Sequence, residues 1–187
     1  MIIKASTVKK ILFIAAIFFS ISSRAQVREV NLQASGLTCS MCSNAINKAL
    51  KSLDYVDKVQ ANIKTSSFDI SFKPGTKPDF DQLKKKVEDA GFSVAKFTAT
   101  VHFDHVSVVN DGHLVVGDMV YHFLNVNNQT LDGDKAIRLL DKGFVSSKEY
   151  KKNSGLTKME CYKTGVAGSC CAKENLPAGK RIFHVTI

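Results

Sequence analysis

The chain has 187 residues, a formal charge of +9, 44% hydrophobic residues and no Trp, so it is long enough for one ordinary domain or two small ones. Part of the positive balance belongs to the first 25 residues, where Lys4, Lys9, Lys10 and Arg24 stand with no acidic residue; removing those four charges leaves +5. An excess that modest, on a chain whose opening residues read as an export signal, argues against nucleic acid as a partner and for solubility or docking to an acidic protein.

Those opening residues have the layout of a secretory signal. Three lysines precede an apolar run from Ile11 to Phe19, and Ser23-Arg24-Ala25 places small residues where a signal peptidase reads, with cleavage expected after Ala25. The run falls well short of the roughly 20 apolar residues that span a bilayer. The first cysteine is Cys39, too far along for a lipid-modified N-terminus. The product is expected to be periplasmic or secreted, with no stable membrane insertion after cleavage. All five cysteines follow the leader, and an odd number in an oxidising compartment leaves at least one thiol that no internal disulfide accounts for.

After the leader, Val27 to Ala34 alternates with the period of a strand, and Gly36 ends it. From Met41 the apolar residues Ala45, Ile46, Ala49, Leu50 and Leu53 recur at three- and four-residue steps, the pattern of an amphipathic helix. Two extended segments, Val56 to Ile63 and Phe68 to Phe72, flank a polar Lys64-Thr65-Ser66-Ser67 turn. Phe80, Leu83, Val87 and Ala90 mark a second helix, with Gly91 where a C-terminal cap requires positive φ. Phe92 to Phe97 gives a last short strand. The order βαββαβ is that of a ferredoxin-like sandwich.

Within this half lies Gly36-Leu37-Thr38-Cys39-Ser40-Met41-Cys42. Cys39 falls in a loop and Cys42 in the first helical turn, where unpaired N–H groups and the helix dipole favour thiolate over thiol. Two thiolates without a nearby His or carboxylate make a soft, low-coordinate site, better suited to Cu(I) than to Zn(II), whose structural sites take four ligands. Met41 lies between them as a possible third soft ligand, though a residue so placed more often faces solvent. Lys84-Lys85-Lys86, opposite the apolar stripe of the second helix, reads as a solvated face or, alternatively, a docking patch for an acidic partner.

This motif, the helix after it and Glu88-Asp89-Ala90-Gly91-Phe92 resemble the heavy-metal-associated domain family over residues 28–97. The resemblance implies Cys39 and Cys42 as metal ligands, as in the family's copper chaperones, copper-exporting ATPases and periplasmic mercury-binding proteins. It also implies a hydrophobic prop at Leu37, where the family commonly has Met, and an aromatic beside the metal loop at Phe92.

The resemblance does not extend into the remainder, 98–187. The domain reading is a leader at 1–25, a metal-binding domain at 26–97 and a β-rich domain at 98–187, joined by a short linker near Lys96 to Thr100. Val101 to Val109 and Leu114 to Val126 are long β-rich runs joined by the hairpin signal Asn110-Asp111-Gly112. Ala136 to Leu140, Lys158 to Lys163 and Arg181 to Ile187 read as further strands, and Ser146 to Asn153 as a short helix. Five strands with a helix after the third suggest an OB-like barrel. The fold class is therefore α+β.

All five histidines, His102, His105, His113, His122 and His184, fall in this half with Cys161, Cys170 and Cys171. Met159 and Cys161 would share a strand face. Because the adjacent Cys170 and Cys171 cannot bond to each other without strain, the ordinary expectation is a disulfide from Cys161 to one of them, with a second copper site as the alternative. Histidines scattered this widely are individually more often structural than ligands.

These readings predict a non-enzymatic carrier that takes up Cu(I) outside the cytoplasm and passes it to a protein partner by ligand exchange. Scavenging of Hg(II) or another toxic metal, with Zn(II) a further candidate ion, is the neighbouring alternative. A thiol-disulfide oxidoreductase working through Cys39 and Cys42 is the alternative of a different class, opposed by the Ser-Met pair between the cysteines and by the strand order.

Overall fold

Residues 27–37, 39–174 and 176–187 are described by the structure, a computed structural model; the leader expected at 1–25 lies outside them. The first half follows the sequence pattern closely. Strand β1 (Val27–Ser35) buries Val30, Leu32 and Ala34. Helix α1 (Ser40–Lys51) turns Ser43, Ile46 and Leu50 inward, so the buried stripe is set by Ser43 rather than Ala45, which is exposed. Strands β2 (Val56–Asn62) and β3 (Ser67–Phe72) pair antiparallel. Asn62 Oδ1 accepts from the amides of Lys64 and Thr65 at 3.1 and 3.3 Å, which folds the turn between them. Helix α2 (Phe80–Asp89) buries Phe80, Leu83 and Val87 and is capped by the Asp79 carboxylate at its start. At its end Gly91, at φ +88°, lets the Phe92 amide reach the Val87 carbonyl.

Strand β4 departs from expectation. It begins at Ser93 and continues to Val108, crossing the segment read as a linker without interruption. Its first part pairs with β1, giving the neighbour order β2-β3-β1-β4 of a ferredoxin-like sandwich. Its other edge pairs from Thr98 to Val108 with β7 (Gln129–Leu139). A register shift between Phe103 and Val106 accommodates His105 at φ +47° near Gly133 at φ +71°.

The rest of the second half extends the same sheet. Its further strands are β5 (Gly112–Val116), β6 (Met119–Phe123) and β8 (Ile182–Thr186), and the full order is β2-β3-β1-β4-β7-β8-β6-β5. The described strands thus form an open eight-stranded sheet, not the OB-like barrel. Two local readings caused the difference. The run from Leu114 to Val126 contains a hairpin of its own, turning at Gly117-Asp118 with Gly117 at φ +60°. The Asn110-Asp111-Gly112 turn instead carries the chain from the middle of the sheet to its far edge. Lys158 to Lys163 is not a strand: Cys161–Thr164 forms the short helix α4, after α3 (Ser147–Asn153). A 3-10 helix, Ser169–Glu174, follows.

Alternation along β6 and β8 gives the sheet two distinct faces. Tyr121, Phe123, Phe183 and Val185 join the main core with the residues of α1 and α2. Phe80 of α2 stacks between Phe97 and Phe183, with ring centroids 5.1 and 5.2 Å away. Val120 and Ile182, on the other face, pack with Cys161, Ala167 and Cys171. Arg181 links the halves electrostatically: its guanidinium lies 2.8 Å from Asp81 of α2 and 3.2 Å from the buried Asp141, over the Phe183 ring. No helix among the described residues is long and apolar enough to cross a membrane.

Candidate metal centre

Cys39 is the N-cap of α1. Its backbone is extended (φ −145°, ψ 156°), and its sulfur accepts from the Cys42 amide at 3.3 Å, the place a Ser or Asp side chain ordinarily takes. The Cys39 carbonyl accepts from the Ser43 amide, starting the helical ladder. Cys42 therefore stands one turn along, on the same end of the helix. The first turn carries no acidic residue, so the partial positive charge of the helix end is left for the sulfurs.

The two thiols are inequivalent. Cys39 is held below the ordinary thiol range by hydrogen bonds from the Cys42 thiol and then from the Cys42 amide. Cys42 is pushed up, because it is the donor to Cys39 and because it is partly desolvated. Of the two, Cys39 is therefore the readier to ionise. Cys39 is exposed and Cys42 half-buried, so an ion or a partner sulfur can approach from solvent.

The surroundings are apolar underneath and open above. Leu37 and Phe92 both pack on the main core. Met41, between the two cysteines, is 82% exposed and points to solvent rather than into the core. Of the lysines on α2, Lys84 is half-buried, 3.5 Å from Asp81 and 5.0 Å from the Phe144 ring centroid, while Lys85 pairs with Asp89 at 2.8 Å. Two of the three therefore have intramolecular partners, and the solvated-face reading fits Lys85 better than Lys84.

The second half gathers residues that sequence reasoning treated as scattered. Cys161, Cys170 and Cys171 are free thiols, not the expected disulfide. The Cys170 and Cys171 sulfurs lie 3.3 Å apart. His102 and His105 stay on the surface strands against Asp134 and Asp132, whereas His113, His122 and His184 converge. His113 is directly opposite His122 on β5 and β6, and His122 directly opposite His184 on β6 and β8. Burial, followed by repulsion from His113 and His184, lowers His122 to about 4, so this ring is neutral near pH 7. The signal was available: a two-residue turn at Gly117-Asp118 places His113 across from His122.

Comparison with known proteins fits the first half. Residues 31–93 match the heavy-metal-associated domain model. The copper chaperone CopZ of Bacillus subtilis is 30% identical over 70 residues, 37% of this chain and 100% of that one. A mercuric transport protein periplasmic component of Pseudomonas fluorescens is 34% identical over 68 residues, 36% of this chain and 74% of that one. A probable copper-exporting P-type ATPase of Archaeoglobus fulgidus is 32% identical over 92 residues, 48% of this chain but only 11% of its own length. The chain thus spans about a tenth of that ATPase and the whole of the chaperone. On the motif, the element order and these matches, the chain belongs to the heavy-metal-associated domain family.

Proposed function

We propose that Cys39 and Cys42 together bind one Cu(I) ion outside the cytoplasm and hand it to a partner protein by thiolate exchange. The observation that carries the reading is the position of Cys39: an exposed sulfur capping a helix whose first turn holds no competing carboxylate. Binding releases whatever thiol protons the pair carries and takes the ion between both sulfurs, giving a two-coordinate bis-thiolate. A partner's cysteine then enters as third ligand from the open side, and one of the two protein sulfurs leaves, so the ion is never released to water. The copper chaperone and copper ATPase relatives support copper as the cargo, and the charged-then-apolar leader supports export. The protein acts as a carrier, not as a catalyst.

The similarity to a mercuric transport protein favours Hg(II) as the second candidate ion. Competition against a chromophoric Cu(I) chelator, with Hg(II) and Zn(II) titrated in parallel on anaerobically reduced protein, separates the possibilities. One tightly held Cu(I) that exchanges readily with a dithiol acceptor is expected. Preferential retention of Zn(II) at these two cysteines would defeat the assignment.

A further inference from the structure

We infer that the second half holds its own metal ion, a four-coordinate Zn(II)-type centre built from Cys161, Cys171, His113 and His122. The inference is independent of the Cys39/Cys42 reading and uses none of its residues.

Cys161 Sγ lies 3.8 Å from His113 Nε2 and 3.8 Å from His122 Nδ1, and Cys171 Sγ lies 3.7 Å from His113 Nε2. Ligand atoms of His113, Cys161 and Cys171 are all within 4.8 Å of one another, as are those of His122, Cys161 and His184. A tetrahedral ion with ordinary Zn–S and Zn–N bonds separates its sulfur and nitrogen ligands by about 3.6 Å. The two triads share Cys161, and each sulfur–nitrogen pair measured here already stands near ligand spacing.

The orientation of the imidazoles is the second, independent observation. Two rings have a nitrogen hydrogen-bonded to a carboxylate, His122 Nε2 at 2.9 Å from Asp111 and His184 Nδ1 at 2.9 Å from Asp141, whereas His113 Nδ1 faces Glu174 without a hydrogen bond. The carboxylates of Asp111 and Asp141 hold the proton on the nitrogen facing them and leave the opposite nitrogens of His122 and His184 with a bare lone pair. On His122 that is Nδ1, which faces the Cys161 sulfur, as His113 Nε2 also does. His184 Nε2 is buried with no hydrogen-bond partner, and the His122 and His184 side chains are 0% exposed.

Thiol hydrogen bonds alone do not satisfy this arrangement. Cys161 and Cys171 offer only weak S–H donors to the ring nitrogens of His113 and His122 that face them, and unanswered buried polar atoms are destabilising. Loss of both thiol protons to an ion makes Cys161, Cys171, His113 and His122 a set of four ligands, with His184 Nε2 outside that set beside His122. Two thiolates balance the charge of a divalent ion. Mixed S₂N₂ ligation in a closed site favours Zn(II), unlike the open two-sulfur site of α1.

The test uses the full chain with Cys39→Ser/Cys42→Ser, reduced and free of metal, titrated with Co(II) as a spectroscopic stand-in and then with Zn(II). One Co(II) per chain is expected, with thiolate-to-metal charge transfer and the intense visible bands of a tetrahedral site, displaced by Zn(II). Adding Cys161→Ser/Cys171→Ser should abolish the spectrum. Asp111→Asn, a change at the rim that leaves every ligand in place, should weaken Zn(II) binding about 10- to 100-fold, and it serves where the cysteine variants fail to fold by circular dichroism. The inference is overturned if no stoichiometric ion is retained, if retention survives loss of Cys161 and Cys171 in folded protein, or if the site accepts Cu(I) and refuses both Co(II) and Zn(II).

Discussion

The two groups of cysteines in this chain differ in how the fold presents them. Cys39 and Cys42 sit three residues apart at the mouth of α1, facing water, and need only one loop and one helical turn to be positioned. Cys161 and Cys171 are buried on the opposite side of the molecule's sheet from α1 and α2, Cys161 in the short helix α4 and Cys171 in the 3-10 helix that follows. A local, open site favours exchange, because an incoming ligand meets no barrier. A buried one, assembled from distant segments, favours retention, because release requires part of the second half to open.

The largest expected effect that sharpens this contrast is at the open site. Cys39→Ser/Cys42→Ser should remove one full equivalent of rapidly exchanging Cu(I), measured by anaerobic chelator competition, while the fold is unchanged by circular dichroism. If exchange persists undiminished, the open site is not the transfer site. Next comes the joint between the halves. Phe80→Ala removes the ring that packs against both Phe97 and Phe183 and should cost about 3–5 kcal/mol. A single calorimetric transition moving to lower temperature would show the halves melting together, and a split into two would show that they melt apart.

Arg181→Ala is expected to be milder, about 2 kcal/mol, because the guanidinium is partly solvated although Asp141 is buried. The same contact has a pH signature. Against burial that would raise it, the Arg181 hydrogen bond and charge hold the Asp81 carboxyl below its ordinary range. A carboxyl depressed on folding contributes its stability above the unfolded value, near pH 4, and loses it as pH falls through the lower folded value. Denaturant midpoints should therefore fall in acid, and Asp81→Asn should flatten that part of the profile. Smallest is Gly91→Ala: a methyl there meets nothing within 4 Å, so only the +88° φ is penalised, about 1 kcal/mol. The loss should appear in Tm with Cu(I) affinity unchanged.

How legible each region was follows from the range of its interactions. In the first half each element is signalled by neighbours: the 3.6-residue stripe of Leu83 and Val87, the cap at Gly91, the polar turn after Asn62. The element order and the Cys39 loop could therefore be read directly. The second half depends on pairings that local patterns do not carry. β6 and β8 run parallel although some sixty residues separate them, and nothing near Val120 or Ile182 announces it. Two turn signals compete between Val109 and Met119, and choosing Asn110-Asp111-Gly112 over Gly117-Asp118 hid the alignment of His113 with His122. The six residues from Lys158 to Lys163 are too few to distinguish strand from helix by period, which misplaced Cys161.

Strand β4 serves both halves at once, and this limits how such a protein could be rearranged. In a free-standing sandwich of this type its outer edge would be bare, open to an intruding chain; here β7 occupies it from Thr98 to Val108. A shared strand cannot act as a swivel, so the two ends of the molecule do not behave as beads on a string. Nor can either portion be swapped as a cassette at residue 98 without exposing a seam that the other one seals.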